Sequence, residues 1–79
     1  MAPLYAAPVK RSVTIAGHET SIALEPIFWS ALEEAAAAED LPLNALVARI
    51  DAERLRCSPP ANLASALRQW LFARALARQ

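Results

Sequence analysis

Few residues in this chain could carry covalent chemistry. Among its 79 residues Cys57 is the one cysteine, His18 the one histidine and Gly17 the one glycine. One Cys and one His cannot assemble a metal cluster, and a lone Cys cannot close an intrachain disulfide. His18 stands in a predicted turn with no nucleophile beside it in sequence, and Cys57 lacks the local features that activate a thiol. Glu33 and Glu34 are adjacent on a predicted helix, so they diverge and make a poor acid and base pair. A single glycine cannot form a glycine-rich phosphate loop. No enzymatic activity, metal, cofactor or small-molecule substrate is therefore expected.

What remains is charge, and it is unevenly spread although the formal net charge is zero. Lys10 and Arg11 give the first 18 residues +2. Residues 19–48 hold six acids and no base, hence −6, and six arginines against Asp51 and Glu53 leave the remainder at +4. Phosphate neutralisation supplies much of the affinity for nucleic acid, so a neutral chain must bind it through local concentration of bases. Lys10, Arg11 and the group Arg49, Arg54 and Arg56 are the available clusters, with ordinary surface pairing to Asp51 and Glu53 as the competing role of the last three.

The elements that would position these residues follow from periodicity. Thr20, Ile22 and Leu24 recur at the period of a strand with one buried face. The stretch RSVTIAGHETSIAL alternates on both sides of Gly17-His18, and glycine at the first central position suits a type II′ hairpin turn. That turn pairs Ile15 with Thr20 and Val13 with Ile22. It puts Val13, Ile15, Ile22 and Leu24 on one face and Ser12, Thr14, Ser21 and Ala23 on the other. At Glu25-Pro26 the period changes, because proline suits a first helical position where an N–H is unpaired anyway.

A helix is predicted over 26–39, with Phe28, Trp29, Leu32, Ala35 and Ala36 on one side. Asp40 and Leu41 form a turn, and Pro42 opens a second helix whose apolar stripe is Leu43, Leu46, Val47 and Ile50. Cys57-Ser58-Pro59-Pro60 ends it, and Asn62 caps a third helix from Leu63 to about Ala77. The broad apolar face of that third helix includes Leu67, Trp70, Leu71, Phe72 and Leu76. Both tryptophans are expected to be largely buried.

The run TSIALEPIFWSALEEAAAAEDLPLNALVARI, from Thr20 to Ile50, resembles the ribbon-helix-helix family, with LPLNALVARI where that family has its second helix. It looks most like a bacterial, alphaproteobacterial type with an added upstream segment, KRSVTIAGHETSI, and an added C-terminal helix, NLASALRQWLFARAL. The resemblance implies a mostly α fold with a short β ribbon, β-α-α plus a C-terminal helix, forming an intertwined homodimer. Residues 1–9, with Pro3 and Pro8, read as a flexible arm and residues 10–79 as one domain. A chain this short buries only about 60% of its unfolded surface, so pairing would help complete its core. The third helix could join dimers into tetramers.

By the same resemblance the protein binds duplex DNA and regulates transcription. Glu19, Ser21 and Ala23 would face the major groove, and the backbone at Leu43 and Asn44 would hold a phosphate. Lys10 and Arg11 would grip phosphate if residues 10–15 are a flexible basic arm that moves aside; with those residues as a strand, the sheet would face something other than a groove. If residues 10–15 form a strand, a dimer has four strands with a backbone width of roughly 14 Å, against a groove about 12 Å wide. A ribbon-helix-helix module for oligomerisation or protein binding is the alternative. The lone Cys57, the absence of a run of about 18 apolar residues and an N-terminus unlike a secretory signal point to the cytoplasm.

Overall fold

The structure, a computed structural model, describes residues 2–79. Strands β1 (Val9–Ile15) and β2 (His18–Leu24) precede helices α1 (Pro26–Ala38), α2 (Leu43–Arg54) and α3 (Leu63–Ala77). Val9, expected in the N-terminal arm, opens β1, and residues 10–15 are strand. The antiparallel register pairs Ile15 with His18, Val13 with Thr20, Arg11 with Ile22 and Val9 with Leu24. The turn is therefore Ala16-Gly17, one residue earlier than expected, and both of its residues have positive φ, 50° and 82°. Two left-handed residues give the twist that a two-residue hairpin favours, and glycine occupies the second position at no steric cost.

The register differs from the expected one by two residues, which preserves the faces, because only an odd slip turns side chains over. Val13, Ile15, Ile22 and Leu24 are buried, while Ser12, Thr14, Ser21 and Ala23 are exposed. Two features fix the observed pairing. The indole Nε1 of Trp29 donates to the Val9 carbonyl at 2.8 Å, tying the start of β1 to α1. The Glu25 carbonyl accepts from the amides of Phe28 and Trp29, so Glu25 belongs to the helix start and is withheld from the ladder.

Helix α1 closes with Asp40 at φ 58°. The Asp40 amide bonds the Ala37 carbonyl and the Leu41 amide bonds that of Ala36, the paired C-terminal bonds that a left-handed residue permits. Aspartate tolerates that conformation better than a branched residue would. Pro42 then starts α2 from an extended conformation, with ψ 154°. Asn62 caps α3, its side-chain oxygen accepting from the Ser65 amide at 2.8 Å.

The core joins all five elements: Ile22 and Leu24 from β2, Trp29 and Leu32 from α1, Leu46 and Val47 from α2, and Leu67 and Leu71 from α3, with Val13 and Ile15 from β1. Each large side chain so buried stabilises the fold by about 1.5–3 kcal/mol. One chain thus closes a core of its own. Trp70 is half-buried, unlike Trp29, and the Arg74 guanidinium lies 5.9 Å from its ring centre. Phe72 and Leu76 remain 66% and 52% exposed. At about 100° per residue they point away from the Leu67 and Leu71 side of α3. Among the described residues no helix is long and apolar enough to cross a membrane, and no group of acids, His and Cys could hold a metal.

Candidate nucleic-acid interface

The hairpin has an inner face committed to the core and an outer face committed to nothing. Side chains at even positions of β1 and odd positions of β2 line the outer face, and register sets them in pairs: Lys10 beside Ala23, Ser12 beside Ser21, Thr14 beside Glu19. All six are exposed. The surface is hydroxyl-rich, with one base and one acid at opposite corners. Short side chains of this kind let a sheet approach another surface closely, and Ser and Thr can either donate or accept a hydrogen bond.

Both edges of the hairpin, that of β1 and that of β2, are open as well. In a two-residue hairpin the pair flanking the loop exchanges both backbone bonds, and bonded and non-bonded pairs alternate from there. Counting from Ile15 and His18, the amides and carbonyls of Thr20, Ile22 and Leu24 turn towards β1, and those of Glu19, Ser21 and Ala23 turn to the far edge of β2. The sheet has two strands among the described residues, so nothing in the chain pairs with that edge. Such an unpaired row of donors and acceptors is a template for another strand.

Arg11 stands apart from the outer face. Its parity places it inward, half-buried, with the guanidinium 4.6 Å from the Trp29 ring centre and 3.7 Å from a Glu33 carboxylate oxygen. A guanidinium over an indole is held by the ring's negative face. The structure therefore separates two neighbours that sequence reasoning grouped together: Lys10 points out and Arg11 points in.

At the other expected contact, the start of α2, Ala45 and Leu46 donate to the Pro42 carbonyl. The amides of Leu43 and Asn44 precede those first intrahelical bonds. Pro42 offers no side-chain cap, and no acid stands in the first turn. Leu43 packs against the core cluster while Asn44 is exposed. Two uncapped amides at the positive end of a helix can bind an anionic oxygen.

Three of the six other bases are engaged by acids. Arg49 pairs with Glu39 at 3.1 Å, Arg54 with Asp51 at 2.7 Å and Arg68 with Glu25 at 3.1 Å. Arg54 also donates to the Ala61 carbonyl at 2.9 Å, bracing the loop before α3. These pairs engage Arg49 and Arg54 of the α2 cluster, while Arg56 forms no ion pair among the described residues. A bond from its own backbone amide, and less strongly the Arg68 guanidinium, hold the Glu25 carboxyl below its ordinary range against an opposing desolvation.

A strand with an inward apolar face, an open edge and an uncapped second helix is the framework of a known class. The sequence pattern of the ribbon-helix-helix domain matches residues 8–75, most of the chain. The chain belongs to the ribbon-helix-helix family. No curated protein and no solved structure matches it. The matched residues take in β1 and nearly all of α3. The family typically comprises DNA-binding transcription regulators that dimerise, generally without enzymatic activity.

Proposed function

We propose that this ribbon-helix-helix protein is a homodimeric, cytoplasmic DNA-binding regulator of transcription. The observation that carries the reading is β2 itself, which buries Ile22 and Leu24, exposes Ser21 and Ala23, and leaves its far edge unpaired. Two copies joined antiparallel along that edge, centred on Ser21, would exchange about six backbone bonds. Glu19, Ser21 and Ala23 of each copy then lie side by side on one surface. Ser21 offers a hydrogen bond to a base edge, Ala23 a methyl contact to thymine, and Glu19 an acceptor for a cytosine amine. The free amides of Leu43 and Asn44 hold a phosphate and fix the register on the duplex.

A second reading, a module that binds protein, is favoured by the exposed Phe72 and Leu76 on α3 and by the electrically balanced outer face. Selection from a pool of random duplexes separates the two. Enrichment of a palindrome, the sequence counterpart of a two-fold protein, supports the regulator. Retention of no duplex even at low salt refutes it and leaves the protein-binding module.

A further inference from the structure

Resting on that reading, we infer that β1 widens the DNA-contacting surface to four strands, and that Lys10 of each subunit grips the phosphate backbone flanking the groove. In a dimer centred on Ser21 the strands run β1, β2, then the partner's β2 and β1. Because Lys10 stands beside Ala23 and Thr14 beside Glu19, each end row of the surface carries Lys10 on one outermost strand and Thr14 on the other. The middle row is Ser12 and Ser21 from each subunit, a line of hydroxyls across the sheet.

The width of that sheet decides what the outer strands can touch. Three spacings of about 4.8 Å put the outermost backbones roughly 14 Å apart, while the major groove is about 12 Å wide. The β1 strands cannot lie between the walls of the groove, so β2 reaches the base edges only with the sheet curled away from the duplex at its outer strands, which sets β1 over the phosphates. Lys10 is exposed, forms no ion pair among the described residues, and has a four-carbon stem that reaches beyond the strand. Arg11 cannot take this part, because it faces inward over Trp29. The short Ser12 sets no obstacle to the approach.

Two cations per dimer set the salt dependence. Each phosphate neutralised contributes about 0.9 to the slope of log K against log salt, so the two Lys10 side chains account for about 2 units. These contacts carry no sequence information, so losing them weakens cognate and scrambled duplexes alike.

The test measures binding of the intact protein to the selected palindrome and to a scrambled duplex across a salt series, for the natural sequence, Lys10→Gln and Arg78→Gln. Arg78 is exposed at the end of α3 and controls for a change in net charge alone. The inference expects Lys10→Gln to flatten the slope by about 2 units on both duplexes and Arg78→Gln to leave it unchanged. Binding whose slope is the same with and without Lys10 overturns the four-strand contact while leaving the regulator standing. Binding of no duplex by the natural sequence removes both.

Discussion

Leu67→Ala tests whether α3 is built into the domain or merely attached to it. Leu67 is fully buried, in a helix that packs on α1, α2 and β2. Removing three carbons costs their transfer from water plus a term for the space left behind, and buried Leu→Ala changes span about 2–5 kcal/mol. Helix α3 packs on three separate elements, which cannot all close on the gap, so about 3–4 kcal/mol is expected. A domain of this length has a total stability of roughly 4–12 kcal/mol. The substitution therefore removes about a quarter or more of the stability, and thermal unfolding should fall by about 12–32 °C at about 4–8 °C per kcal/mol. Urea and thermal melts followed by tryptophan fluorescence, at one fixed protein concentration, measure it. A loss below about 1 kcal/mol would show that α3 does not seal the core and would refute the packing described.

Further predictions concern the turn and the start of α1. Ala16 sits at φ 50° ahead of Gly17, so Ala16→Asn should stabilise the protein by about 0.5–1 kcal/mol, since Asn-Gly suits a turn with two left-handed residues. A melt that stays put or falls would place the turn elsewhere. Glu25 has a lower pKa folded than unfolded, so its stabilisation is present above the unfolded value and lost as pH falls through the folded one. Acid melts of the natural protein should therefore lose stability below about pH 4.5 more steeply than those of Glu25→Gln. Parallel curves would deny Glu25 that part.

Much of the fold was legible because the apolar pattern changes period where the structure changes element. Pro26, Asn62 and the double proline at 59–60 each mark a boundary through a local constraint on the backbone, and local constraints can be read in a sequence. The turn was less legible. Two registers place Val13, Ile15, Ile22 and Leu24 on the same face, and the deciding contact, Trp29 to the Val9 carbonyl, spans 20 residues. Trp70 and Phe72 show the limit of composition: a helix with apolar residues on several sides does not reveal which side meets the core until its neighbours are placed.

The candidate site divides in the same way. Alternation already set Ser12, Thr14, Ser21 and Ala23 on one face, and the structure adds Lys10 to them by register. That Arg11 turns inward follows from parity, but what holds it there, the Trp29 ring and Glu33, is tertiary. The family's single-strand ribbon pointed to Glu19, Ser21 and Ala23 of β2 as the base readers and left Lys10 and Arg11 undivided. The added β1 strand changes the width of the surface and with it the residues that can reach a phosphate.

Sedimentation of the natural protein beside Ser21→Pro, with circular dichroism, tests most directly whether the β2 edge joins two copies. The Ser21 amide faces the open edge and takes no part in the ladder to β1, so proline in both copies removes the two central bonds of the dimer and none within the hairpin. The account predicts a dimer for the natural sequence and a folded monomer, without DNA binding, for the variant. A natural protein that sediments as a monomer at micromolar concentration, or a Ser21→Pro protein that remains a dimer, would contradict it.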